Sequence, residues 1–571
     1  MIFNRRSGSL LAIQVAAFLC YFVSSCFAVN SVTTVGGKYQ LEWYTGGDNK
    51  TLCISVQIPS SECPAGTCWV GFGIGESTSG GMAGADIVVA QLSAGQVTLR
   101  DMHATEEGTP SDDECNDWEL QSFSTSTNFE VEMCRSFETG DNQDRQIIVH
   151  TGDPAESFPC ITAFGSGTLS YHGTTNRQIV NVPLLASEVE YGASQSILST
   201  LAADPNIITI ELKQTSAEME GGTGQPFTIP TVETTYLDRT YDFSSILDDT
   251  WQIVAFEPIF TQATAPLVHH FVLKFGGNDI YAWAGEKIGF VLPPDVGFPL
   301  TGVESSERLE MQTHYDNPGG LTNQNDDSGV RLYITKSTRV HDAGMMQLGD
   351  GRIALFSTVI PTGTNSIDFT CQSGCIQQNL TVIGAMLHTH AYGIGVLNEH
   401  MNSNGDVVTD PLFARSEYYD WELQRTIPMN FDINAGDSIK TTCIYEVPQG
   451  SIVRFGLDSD QEMCIVFVMY YPAQAGLEYC DWVGDCPGGS GAETLAFTST
   501  TKSELQLWPD ADSTCSPTSS PVTSSPTTPT TGAPTNSPTT PTNLSTAAKG
   551  LHVNMKLAWG ISMSAALLTL L

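Results

Sequence analysis

No stretch between residues 30 and 500 sustains a long amphipathic helical period, and this most limits what the chain can become. Apolar residues come instead in short runs rich in β-branched and aromatic side chains, such as "GKYQLEWY", "TLCISVQI", "TCWVGFGIG", "IITIELK", "VRLYITK" and "DSIKTTCIYE". Clusters of Gly, Pro, Asn and Asp separate many of them, the pattern of strands joined by turns. The nearest helical candidate, "LLASEVEYGAS", is brief. An all-β protein built from sandwiches is expected. The block from 182 to 205 reads as an interdomain connection.

The two ends read as addresses. Residues 1–28 carry Arg5 and Arg6, an apolar stretch and then small residues, as a secretory signal does, with cleavage expected after Ala28. Residues 513–545 are almost only Ser, Thr, Pro and Gly, a composition that buries no core and makes an extended stalk. Residues 546–571 follow as small residues, a polar spacer and an apolar terminus. That is the pattern of a glycolipid (GPI) anchor signal, with a short C-terminal tail anchor as the alternative. The expected location is the secretory pathway, at the extracellular face or in a vesicle lumen.

The chain has 24 Lys and Arg against 63 Asp and Glu, a formal charge of −39, which excludes nucleic acid and anionic membrane surfaces as partners. Thirteen cysteines remain after Cys20 and Cys26 leave with the signal. In an oxidising compartment pairing is the default, so one of the thirteen is free or bridges two chains of an oligomer. Asn49, Asn379 and Asn543 sit in glycosylation sequons.

The histidines carry the chemistry. "GAMLHTHAYG" places His388 and His390 two apart, on one face if the strand is regular. "PLVHHFVLKFG" places His269 and His270 side by side, and adjacent strand residues face opposite ways. Both could serve one ion only where the strand bulges or ends. His314 follows in "LEMQTHYDNPGG" and Met463 in "DQEMCIVFVMYYP". Each taken alone also reads as an ordinary strand residue. Together, imidazoles with a thioether point to copper that passes through a reduced state, whereas zinc would be expected beside Cys or carboxylate.

In order and spacing, "LVHHFVL", "QTHYDNP", "SGVRLYIT", "LHTHAYG", "TTCIYE" and "EMCIVFVMYYP" resemble the copper type II, ascorbate-dependent monooxygenases, on the dopamine β-hydroxylase-like branch. "TCWVGFGIGESTSGGMAGADIVVAQ" and "FGSGTLSYHGTTNRQIVNV" resemble a DOMON β-sandwich. The resemblance implies a DOMON domain over 30–190. Two jelly-roll-like copper domains would follow, over 205–335 and 336–495, each holding one copper across a solvent-filled cleft. It assigns His269, His270 and His314 to the first, electron-transferring copper. His388, His390 and Met463 fall to the second, where O2 is activated. Tyr470 matches a tyrosine near that second copper.

The same resemblance implies the disulfides Cys443–Cys464, Cys371–Cys480 and Cys375–Cys486. It implies two copper ions per chain, ascorbate as reductant, and O2 inserted into an aliphatic C–H bond of a small molecule. Met82 and His172 lie roughly where haem-binding DOMON domains carry their ligands, although monooxygenase-linked ones usually lack haem. Gln347 stands where amine-hydroxylating relatives carry Glu, which argues against a catecholamine and for a small hydrophobic or aromatic substrate. The alternatives are a non-catalytic surface protein that binds copper or another ligand, and a haem-DOMON electron carrier.

Overall fold

The computed structural model describes residues 30–505 except 77–79, 150–155, 187–197, 245–246, 248–250, 285–288, 301–307, 352–356, 409–413, 482–485 and 490–494. The expected signal, stalk and anchor segments, Asn543, and most of the "LLASEVEYGAS" run therefore lie outside the described residues. The chain resumes after that run in a short helix over 198–203.

Almost every described element is a strand, and the described sheets fall into three groups along the chain. The first five-stranded sheet runs in the order Asn30–Thr34, Tyr39–Thr45, Thr51–Pro59, Asn128–Ser136, Glu119–Ser124. It faces a six-stranded sheet ordered Arg177–Val182, Phe158–Ser166, Cys68–Ile74, Asp86–Ser93, Gln96–His103, Ser111–Asp112. Alternation drives the packing. Tyr39, Leu41 and Trp43 point inward from one strand, and meet Val70, Phe72 and Phe164 from the other sheet in one core.

Two further pairs of sheets follow. In the first, Thr234–Tyr241, Leu309–Asp316, Val268–Phe275 and Asn278–Ala284 form a four-stranded sheet opposite one built around Trp251–Ile259 and Gly329–Thr335. In the second, Thr426–Ile433, Leu380–His388, Ile465–Tyr471, Gly344–Gly349 and Tyr479–Asp481 form one sheet. Gly393–Met401, Ser438–Val447, Gly363–Cys371 and Phe497–Ser499 form the other. Buried apolar residues from Ile210 to Cys486 make one continuous cluster across both pairs, separate from the core of the first sandwich.

Disulfides join Cys371 to Cys480, Cys375 to Cys486 and Cys443 to Cys464, all in the last pair of sheets. Cys53–Cys134 and Cys63–Cys68 staple the first sandwich. Cys160 is a free thiol, wholly enclosed in the first core, so it offers nothing to a second chain. Asn49 and Asn379 are exposed.

Candidate metal centre

Against Leu309–Asp316 the strand Val268–Phe275 keeps register except at one point. Opposite Leu309–Asp316, Val268 pairs with Tyr315 and His270 with His314, so the register slips at His269. That bulge turns His269 out of strict alternation and lets both adjacent imidazoles face the same place. His270 and His314 face each other across the sheet with ring centroids 4.8 Å apart. His269 Nδ1 lies 2.8 Å from His314 Nδ1, and one nitrogen from each of the three rings falls within 4.8 Å of the others. His269 Nε2 and His270 Nδ1 are buried without a hydrogen-bond partner. A buried polar atom left so costs about 1–3 kcal/mol, which a cation between them would offset.

His388 ends the strand Leu380–His388, and His390 follows two residues later, its ring 5.3 Å from that of His388. Their tautomers are set by what touches Nδ1. The Nδ1–H of His388 donates to Gln424 Oε1 at 2.6 Å, and Gln424's own amide is oriented by donating Nε2–H to the Trp421 carbonyl at 2.7 Å. The Nδ1–H of His390 donates to the Gln461 carbonyl at 3.1 Å. Both rings therefore keep Nε2 as the lone-pair nitrogen, the form that binds a metal. His390 Nε2 is buried and unpartnered.

Glu462 organises this half of the site. Its Oε2 accepts from the backbone N–H of His390 at 2.9 Å and of Met463 at 3.3 Å, while Oε1 accepts from Tyr392 N–H at 2.6 Å. One buried carboxylate thus fastens the His390 and Met463 backbones, 73 residues apart, to a common anchor. Tyr445 Oη donates to the Met463 carbonyl at 2.7 Å, and the neighbouring Cys464 is tied to Cys443. Desolvation pushes Glu462 up to about 8, against the pull of the backbone N–H donors.

The expected solvent-filled cleft is not what the described residues form. The two histidine sets meet: ring centroids of His270 and His388 lie 5.1 Å apart, those of His269 and His390 5.9 Å, and those of His314 and His390 6.2 Å. The loop that carries Gln461 and Glu462 causes this by docking on the other pair of sheets. His314 Nε2 is 3.1 Å from Ser459 Oγ, Thr234 Oγ1 donates to Ser459 Oγ at 2.8 Å, and Tyr236 Oη donates to the Leu457 carbonyl at 2.5 Å. Tyr236 also stacks on the His314 ring at 4.3 Å, and Trp421 meets His269 edge-on at 5.7 Å.

Burial and the neighbouring imidazoles hold every member of the cluster neutral. His269 is lowered to about 2, His314 and His390 to about 3. Burial takes His388 to about 4, with the Gln424 bond pulling the other way, and His270 is lowered too. Five neutral imidazoles in one buried cluster are a donor set for copper, zinc, iron or nickel.

Comparison with known proteins narrows the choice. The family described as copper type II ascorbate-dependent monooxygenase, C-terminal domain, matches residues 341–486, and the DOMON domain family matches 35–152. DBH-like monooxygenase protein 1 of Homo sapiens is 26% identical over 477 residues, covering 76% of this chain and 72% of that protein. Dopamine beta-hydroxylase of Rattus norvegicus is 24% identical over 525 residues, covering 83% and 79%. Over about three quarters of its length the chain is thus similar to the dopamine β-hydroxylase-like monooxygenases. The description of the family matched over 341–486 names copper and ascorbate.

Three residues suggested by resemblance lie elsewhere in this dopamine β-hydroxylase-like chain. Tyr470 is not at the cluster. In the pairing of Ile465–Tyr471 with Leu380–His388, His388 sits opposite Ile465 and Val382 opposite Tyr470, which puts Tyr470 about 17 Å along the sheet. Its hydroxyl bonds the backbone of Gln474, and Phe467 is the strand residue that packs on His388, at 6.4 Å. Met82 and His172 border a sheet face that Trp69 fills. Its indole lies so close over Gly165 that a Cβ there would be 2.5 Å from Nε1, and the His172 ring is 6.5 Å away with Nδ1 bonded to the Gly173 carbonyl. That packing does not fit a haem held between Met82 and His172.

Glu462, Gln424, Gln461 and Ser459 are the site residues that sequence reasoning missed. Only Glu462 left a trace, as a charged residue entering an apolar run beside Met463.

Proposed function

We propose that the chain hydroxylates an aliphatic C–H bond of a small hydrophobic or aromatic molecule, with O2 as oxidant and ascorbate as two-electron donor. The balance is R–H + O2 + ascorbate → R–OH + H2O + dehydroascorbate. The observation that carries the reading is the convergence of five neutral histidines, two of them with Nε2 directed by Gln424 and Gln461. His269, His270 and His314 would hold one copper, and His388, His390 and Met463 a second. Copper bound there supplies one-electron redox chemistry and an O2-binding position. The protein's own part is to hold the donor nitrogens unprotonated and oriented, and to keep water away with Trp421, Tyr236 and Phe467.

The substrate reading leans on Gln347. Its amide donates to the Asp279 carboxylate, whose other oxygen lies 3.7 Å from Lys274 Nζ. The negative charge nearest Gln347 is thus already offset, which favours an uncharged substrate over an ammonium. The domain division at 30–190, 205–335 and 336–495 is proposed with the function, supported by sheets that keep to those limits except where His341–Asp342 pairs with Val296–Gly297 and Phe497–Ser499 joins the last sheet. A secretory destination fits the disulfides that staple the first and last sandwiches.

Oxygen uptake with ascorbate and copper, measured over a panel of amines, phenols and peptides, tests the reading. Two coppers per chain with ascorbate- and substrate-dependent uptake are expected. Stoichiometric copper without uptake from any class would favour a copper-binding surface protein instead.

A further inference from the structure

The segment 416–425 touches the N-terminal sandwich on one side and the histidine cluster on the other. Toward the sandwich, Ser416 Oγ and the Glu417 N–H both donate to the carboxylate of Glu76, a residue only 4% exposed. Tyr418 lies flat against Gly84, where an added Cβ would fall 2.8 Å from the ring and where φ is +78°. Leu423 Cδ1 sits 2.9 Å from the Cβ position of Gly81, and Arg425 donates to Asn181 Oδ1 at 2.9 Å.

Toward the cluster, Tyr419 Oη accepts from the Thr389 N–H at 3.1 Å and reaches the Leu387 carbonyl at 3.3 Å, bracketing His388. Trp421 meets the His269 ring, and Gln424 takes the Nδ1–H of His388. Beyond a bridge between Ser416 and Val396, the segment's regular structure is a single 3-10 turn, Trp421–Leu423, started by the Asp420 side chain accepting from Glu422 N–H. One turn of that kind has little rigidity of its own. The Ser416–Val396 bridge and the following strand, Thr426–Ile433, hold its two ends, and the sandwich surface backs the stretch between them that carries Trp421 and Gln424.

We infer that the N-terminal sandwich is a positioning element of the metal centre: through Glu76, Gly84 and Asn181 it holds the 416–425 segment, and Gln424 in that segment sets His388. This rests on the reading of His388 as a copper ligand. It gives the first sandwich a role at the site that needs no ligand of its own. Gln424 is a positioning residue, since it acts through the imidazole.

The test uses the full-length protein and reads copper binding by titration and Cu(II) electron paramagnetic resonance, with near-ultraviolet circular dichroism to verify folding. Gln424→Leu and Glu76→Ala should each weaken the copper lost in His388→Ala by about 10-fold or more, the usual scale for a residue that orients a ligand. The copper lost in His314→Ala should stay within about 2-fold. Gln424→Glu, which keeps an acceptor, should restore binding. Because Glu76 acts through the segment, the double variant Glu76→Ala/Gln424→Leu should be little worse than Gln424→Leu alone.

Native-like Glu76→Ala with wild-type binding of both coppers, or full additivity in the double variant, overturns the inference. Should Glu76→Ala fail to fold, Asn181→Ala carries the same expectation from the sandwich's edge strand, and wild-type binding there overturns it as well. If His388→Ala costs no copper, the functional reading itself fails, a result separable from the others.

Discussion

Replacing Glu462 by Gln probes the anchor that joins His390 to Met463. The carboxylate accepts three backbone N–H groups, at 2.6, 2.9 and 3.3 Å. A Gln side chain keeps one acceptor oxygen and turns an NH2 toward the remaining donor. If its oxygen stays with His390 and Met463, the Tyr392 N–H faces a donor and is left buried and unpaired, at a cost of about 1–3 kcal/mol. That is a substantial part of a domain's total stability of about 5–15 kcal/mol.

The effect carries a pH signature. Burial holds the Glu462 carboxyl up to about 8, well above its unfolded value, so the proton on it stabilises the fold. That contribution is fully present below the unfolded pKa and is lost as pH rises through 8. At about 1.4 kcal/mol per unit, it can reach about 5 kcal/mol. Gln has nothing to lose over this range. Urea unfolding of the copper-free protein should therefore show Glu462→Gln less stable at pH 5, with the gap closing and then reversing as pH rises toward 8. Copper titration of the same variant should show weakened binding at His388, His390 and Met463 with His269, His270 and His314 spared. A pH-independent gap, or wild-type affinity for both coppers, would refute the reasoning.

Met463→Ala should abolish hydroxylation while leaving one copper bound per chain, readable by metal analysis; full activity would remove Met463 from the site. Ser459→Ala takes away a contact of His314 and of Thr234, and should lower unfolding stability by about 0.5–1.5 kcal/mol in chemical denaturation. Gln347→Glu sets a second carboxylate against Asp279, so one of the pair should titrate upward and the variant should gain relative rate on amines over neutral substrates. Purified protein should show no Soret band, because the Trp69 indole, 6.5 Å from the His172 ring, packs in the apolar cluster that Met82 borders.

Strand periodicity made the all-β fold readable, since Tyr39, Leu41 and Trp43 advertise a buried face by alternation alone. The His269–His270 pair was readable as a conditional statement, that both could serve one ion only if the strand broke step, and the register slips there. Gln424 was not readable. It is 36 residues from His388, in a segment with almost no regular structure, and its role exists only once two sandwiches close on it. Glu462 hid among 63 acidic residues, where surface solvation is the ordinary expectation. Tyr470 misled because a strand's pattern does not say how far along the sheet a hydroxyl lies from its target.

The single extra residue at His269 also fixes how this gene can change length. Delete one codon anywhere between Val268 and His270 and the strand regains perfect pairing, yet one of the two imidazoles is gone or turned to the opposite face. Add one codon and every inward side chain from Phe271 to Phe275 reverses. Substitutions at its outward positions Val272 and Lys274 can drift; insertions and deletions cannot.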